Sequence, residues 1–181
     1  GLSTEPLMSK AMEGMAKQVT EQSIIAAMEA VHARHAFANR LAKSLSDDKK
    51  NIGDMTQVIA DSLAAAMRPE DMEAVRAQLR NRQQTKNKTE NDRLAIQTMQ
   101  TVRTMARLGV QNSVVSETVC QAIQNQYTHQ EMKQLRQHIA KQIQQMSVQQ
   151  LAHQYAGSIG KGGNVSGGGS GGGSGGGSGG G

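Results

Sequence analysis

An all-α chain is what three features of this sequence predict: few helix breakers before the tail, a body made of residues that lose little on entering a helix, and apolar positions recurring every three or four residues. Of the 20 glycines, 16 fall between Gly157 and Gly181, leaving Gly1, Gly14, Gly53 and Gly109 in the body beside two prolines, Pro6 and Pro69. Ala, Gln, Met, Arg, Lys and Leu dominate that body, and straight-chain residues keep most of their rotamer freedom in a helix. With no Trp, one Phe (Phe37) and two Tyr (Tyr127 and Tyr155), the core has to be built from Met, Leu, Ile, Val and Ala. Such a core is adaptable and modest in buried area per residue. The expected architecture is an elongated helical bundle of about four to six helices with a long C-terminal helix, followed by a disordered Gly/Ser tail.

The first helical region starts at Thr4, an N-cap residue followed by Glu5 and Pro6 in the first turn. Met8, Met12, Met15 and Val19 share one face; the stripe shifts around Thr20–Ser23 and resumes with Ile24, Met28, Val31, His35, Leu41 and Leu45. This predicts either one long helix with a change of partner or two helices broken near Thr20. Residues 46–53 read as a turn. Met55, Ile59, Leu63 and Met67 trace the next helix, stopped at Arg68 because a residue preceding proline is pushed out of helical geometry. Pro69, Glu70 and Asp71 open a short helix carried by Met72, Val75 and Leu79. Residues 80–93 hold no large apolar residue and read as a solvated connector or a fully exposed stretch of helix; Leu94, Ile96, Met99, Val102 and Met105 then mark a helix ending at Gly109. A last, long helix is expected from Ser113 or Ser116 to about Tyr155, with Val119, Ile123, Met132, Leu135, Ile139, Ile143 and Met146 along one side and a Gln-rich surface around it.

Four segments follow: an N-terminal helical region at 1–79, a polar basic connector at 80–93, a C-terminal helical region at 94–156 and a flexible Gly/Ser linker at 157–181. The Gly-Gly-Gly-Ser units of 167–181 have the composition of an engineered linker. Cys120 is the only cysteine, so no intramolecular disulfide can form. No apolar run reaches membrane-spanning length, and the start lacks the basic-then-apolar layout of a signal peptide. A soluble chain, cytoplasmic or exported, is the expectation.

Charge is distributed unevenly. Residues 1–73 carry 8 basic and 11 acidic side chains, whereas residues 74–112 carry 8 and 2. That basic island comprises Arg76, Arg80, Arg82, Lys86, Lys88, Arg93, Arg103 and Arg107. Clustered cations are the footprint of polyanion binding, and equally of a solvated connector. No aromatic residue accompanies them, which removes the stacking platform that single-stranded nucleic acid requires. Leu108-Gly109-Val110 followed by Val115, Ser116 and Val119 resembles the turn and second helix of a helix-turn-helix, which implies a duplex-DNA reader over about 105–120. The pattern departs from that motif at Met105, where a small residue is usual, and at Glu117, which would face phosphates.

Glu29, His32 and His35 form Glu-x-x-His-x-x-His, but a carboxylate-bridged metal site needs a second such motif, and the sequence has none. Cys120 with His129 or His138 as base is a conceivable nucleophile; a lone cysteine among valines more commonly serves as a small hydrophobe. Gly160-Lys161-Gly162 lacks the spacing of a phosphate loop. No catalytic residue, metal ligand or cofactor is therefore assigned. Met-rich faces suit adaptable partner binding, and plain core packing produces the same spacing.

Binding is the function class that remains: a non-enzymatic helical protein–protein interaction protein, acting as a structural subunit, adaptor or chaperone-like partner of itself or of another helical protein. The expected contact face is Met132, Leu135, Ile139, Ile143 and Met146. The aromatic-poor, Gln- and Met-rich, nearly cysteine-free composition is similar to that of filament and translocator subunits exported by bacterial secretion machines. DNA binding through the basic stretch is the alternative.

Overall fold

The computed structural model describes residues 4–83 and 87–142. Those residues form seven helices and no strand: α1 (Glu5–Ala16), α2 (Glu21–Leu45), α3 (Lys49–Ala64), α4 (Pro69–Gln83), α5 (Lys88–Arg107), α6 (Asn112–Gln124) and α7 (His129–Gln142). The all-α expectation holds, with one more helix than its upper count.

Four of the corners use the same backbone device. At each, a residue in the left-handed region ends the helix: Gln18 (φ 53°), Ala66 (φ 71°), Gly109 (φ 80°) and Gln126 (φ 63°). The following amide then reaches back to a carbonyl of the preceding helix: Val19 to Gly14, Met67 to Ser62, Val110 to Met105 and Tyr127 to Ala122, at 3.0 to 3.2 Å. This is the Schellman arrangement, which satisfies carbonyls orphaned at a helix end and places an apolar residue just beyond it. Met67, Val110 and Tyr127 bury that apolar residue in the core, while Val19 stays exposed.

The α3–α4 and α6–α7 corners are related by a constant offset. Met67 corresponds to Tyr127, Met72 to Met132, Val75 to Leu135 and Leu79 to Ile139, all buried. One helical-hairpin pattern is thus used twice, and α4 packs on α6.

Three sequence expectations need correction. The region from Ser113 onward is not one continuous helix, because Gln126 turns the chain and Thr128 starts α7 with a capping box. The Glu131 carboxylate accepts from the Thr128 amide (2.7 Å), and the Thr128 hydroxyl accepts from the Glu131 amide (3.2 Å). The expected extension of that helix past Gln142 lies outside the described residues. The turn predicted over 46–53 shrinks to Ser46–Asp48: the Asp48 carboxylate accepts from the Asn51 amide at 2.9 Å and caps α3, which takes Gly53 into its first turns. The polar stretch at 80–93 is largely helical, with α4 reaching Gln83 and α5 starting at Lys88 under an Asn87 cap. At the other end, the break at Lys17–Thr20 decides for two N-terminal helices.

The core runs through the α2–α3, α3–α5, α5–α7 and α4–α6 contacts. Leu41, Met55, Ile59, Met72, Leu79, Met99, Met105, Ile123, Met132, Leu135 and Ile139 are its largest fully buried side chains. Unbranched Met fills the irregular gaps that a core without large aromatics leaves.

Candidate interaction surfaces

The basic island is the most conspicuous charge feature of the sequence, and the fold gives nearly all of it internal partners. Arg76 pairs with Glu73, Lys88 with Asp47 (3.0 Å) and Arg93 with Glu90 (3.2 Å). Arg103 and Arg107, both on α5, converge on Asp61 of α3 at 3.3 and 2.9 Å. Arg80 donates to the Ser44 carbonyl at 2.8 Å. Arg82 is buried and donates to the carbonyls of Ile123 (3.3 Å) and Gln126 (3.0 Å), closing the α6–α7 corner. Burial pushes its guanidinium below the ordinary value, and nearby Glu131 partly offsets that. Lys86 lies outside the described residues. Five of the eight cations, Arg80, Arg82, Lys88, Arg103 and Arg107, thus reach across to another element, while Arg76 and Arg93 pair within their own helices.

The helix after Gly109 does sit as a second helix in a tight corner. Val110, Val114, Val115 and Val119 are buried, as expected for residues that pin it, while the exposed positions on and before it are Gln111, Ser113, Glu117 and Gln124. No cation stands on that outer face.

The expected partner face on the last helix is turned inward. Met132, Leu135 and Ile139 are at most 2% exposed, packed mainly against α5, and Thr101 of α5 donates to the Met132 carbonyl at 3.3 Å. Ile143 and Met146 lie outside the described residues. A helix stripe looks the same in sequence whether it meets its own chain or another, and here its own chain covers it.

His32 is exposed and His35 half-buried on α2. Among the described residues no group of three His, Cys, Asp or Glu side chains is placed to hold a metal ion. Burial lowers the His35 imidazole pKa, Arg34 adds to that, and Asp61 opposes it. Cys120 is half-buried against the core, and its thiol is pushed up by burial, with Ser116 as a hydrogen-bond partner. A polar cleft of about 550 Å³ opens between the α2–α3 link and the start of α5. Asp47, Asp48, Asn51, Lys88, Asp92 and Arg93 line it, and the Asn51 amide donates to Asp92 at 3.2 Å. Opposite charges alternate round its wall and largely answer one another. Among the described residues no helix is long and apolar enough to cross a membrane.

Nine of the ten described methionines fall into two populations, with Met28 on α2 half-buried between them. Met55, Met67, Met72, Met99, Met105 and Met132 are core, at most 3% exposed, whereas Met8, Met12 and Met15 on α1 are 59 to 63% exposed. Val19 just past α1 and Ile25 on α2 are also exposed, at 45 and 48%. Helix α1 buries none of its residues in the core and is held by packing on α2. That contact is close: a Cβ added at Gly14 would lie 2.6 Å from Ile24 Cγ1, so glycine lets the two helices touch. Glu13 is bridged by Lys10 (2.8 Å) and Lys17 (2.6 Å), which hold its carboxyl down to about 2.

Among the described residues, fold and surface define a helical protein whose exposed large apolar side chains are Met8, Met12, Met15, Val19 and Ile25. No family model, curated protein or solved structure matches the chain.

Proposed function

We propose that this protein is a non-enzymatic helical interaction protein, a structural subunit, adaptor or chaperone-like partner, and that its N-terminal helical hairpin carries the contact. The observation behind this reading is the exposure of Met8, Met12, Met15, Val19 and Ile25 in a chain whose other large apolar side chains among the described residues are covered or partly covered. Contiguous apolar strips of this kind mark contact sites, because leaving them in water costs free energy that a partner recovers. Flexible Met side chains let one strip adapt to the relief of a partner. The internal engagement of Arg76, Arg80, Arg82, Lys88, Arg93, Arg103 and Arg107 favours protein over nucleic acid as that partner.

The test is site-specific photo-crosslinking in the source cell, with the probe placed at Met8, Met12 or Met15 and a control probe at exposed Gln57 on α3. Covalent adducts of discrete mass are expected from the α1 positions. Equal or absent adducts from α1 and Gln57 would refute the reading.

A further inference from the structure

Resting on that interaction reading, we infer that the occupant of the α1 strip is a second copy of this chain, docked antiparallel on the same strip. Met8, Met12 and Met15 follow a four-three spacing on α1, the seam spacing of a two-stranded helical pair, which calls for another helix as its cover, and Val19 stands exposed just past the helix end. What borders the seam suits self-pairing. Ser9, Ala16 and Gln18 are exposed, and all are small or uncharged. The neighbouring carboxylate, Glu13, is bridged by Lys10 and Lys17, which leaves this end of the strip one positive charge in excess. In an antiparallel arrangement the Glu5 end of one helix comes against the Lys17 end of the other, opposite in charge, with the two helix dipoles opposed.

Area supports the same occupant. At the observed exposures the five apolar side chains present about 500 Å² per copy, and a symmetric pair would bury about 1,000 Å², the lower bound for a specific interface. Only a two-fold arrangement uses the strip twice.

The full chain is measured by sedimentation velocity from about 1 μM to about 1 mM, a range that brackets weak association. A monomer–dimer equilibrium is expected. Met12→Lys, at a position 63% exposed and thus tolerated by the fold, should weaken it at least about tenfold. Met12→Leu and the control Gln57→Lys should leave it intact. A monomer at every concentration overturns self-pairing, and so does a dimer indifferent to Met12→Lys. The crosslinking experiment separates this failure from failure of the broader reading. Adducts at Met12 with the mass of two chains support self-pairing. Adducts only with a different protein overturn it while leaving an interaction function, and no adducts remove both.

Discussion

Arg82 offers the sharpest test of how this fold is held. It stands in the last turn of α4, 6% exposed, and its guanidinium reaches across to the carbonyls of Ile123 and Gln126, at the end of α6 and in the corner that follows. The final carbonyls of a helix have no partner within it, and a cation near them also meets the negative end of the dipole. A hydrogen bond from a charged donor contributes about 1.5 to 3 kcal/mol. Two of them, reduced by the cost of burying the guanidinium, give a net loss of about 2 to 4 kcal/mol for Arg82→Ala, because the Gln126 carbonyl loses this donor and the Ile123 carbonyl keeps only the Gln126 amide, at 3.1 Å. The alkyl stem adds lost packing, which Arg82→Met would retain.

Urea unfolding followed by circular dichroism measures the effect. With a slope of about 2 kcal/mol per molar, the midpoint should fall by about 1 to 2 M in Arg82→Ala. Arg82→Met should lose most of that, and Arg82→Lys about half, since an ammonium cannot fork between two carbonyls. A midpoint for Arg82→Ala within about 0.25 M of the parent, about 0.5 kcal/mol at that slope, would refute the claim that this side chain ties α4 to the α6–α7 corner.

Other outcomes follow from the corners and the ion pairs. Ala66 and Gln126 adopt a left-handed backbone that costs a residue with a Cβ about 1 kcal/mol, so Ala66→Gly and Gln126→Gly should each raise thermal stability by about 0.5 to 1 kcal/mol. Gly109→Ala should lower it by a similar amount for conformational reasons alone, because nothing lies within 4 Å of the added Cβ. Asp61→Ala removes the common acceptor of Arg103 and Arg107; as all three side chains are partly solvated, a loss of about 1 kcal/mol is expected, and a double-mutant cycle with Arg107→Ala should return a coupling of a few tenths. Burial lowers the folded-state pKa of His35 below its ordinary 6.5, so the unfolded chain binds the proton more readily. Stability from this group is therefore complete above pH 6.5 and is lost as pH falls from there through the lowered folded value. The His35 imidazole resonance should titrate below that of an unfolded chain, and His35→Gln should flatten this part of the stability profile.

How much of this was legible in the sequence depended on whether the relevant physics was local. Pro69 after Arg68 and Gly109 after Leu108 act within a turn of where they stand, and helices begin or end close to them; Thr4 stands at the start of α1 as expected but its side chain makes no cap bond, whereas the Thr20 side chain, at the expected break, caps α2. Thr128-His129-Gln130-Glu131 carries the same kind of signal, a capping box, yet an unbroken row of apolar residues from Val119 to Ile139 masked it, since both sides of the Gln126 corner face one core. A non-glycine residue in the left-handed region has no spelling of its own. Gln126 and Ala66 turn the chain because Tyr127 and Met67 are pulled inward, which is a tertiary cause.

The surfaces were harder for the same reason. Periodicity reports that Met8–Met12–Met15 and Met132–Leu135–Ile139 each form a stripe and says nothing about what covers it. Composition marks the cations of 76–107 as a cluster, but their acceptors, Asp47, Asp61, Ser44 and Ile123, are distant in the chain and meet them only after folding. The inversion that results is physically coherent. Of the charged stretch that looked free to bind, Arg80, Arg82, Lys88, Arg103 and Arg107 are spent on joining α2, α3, α4, α5 and α6, and the apolar stripe nearest the N-terminus, which has no such joining to do, is left exposed.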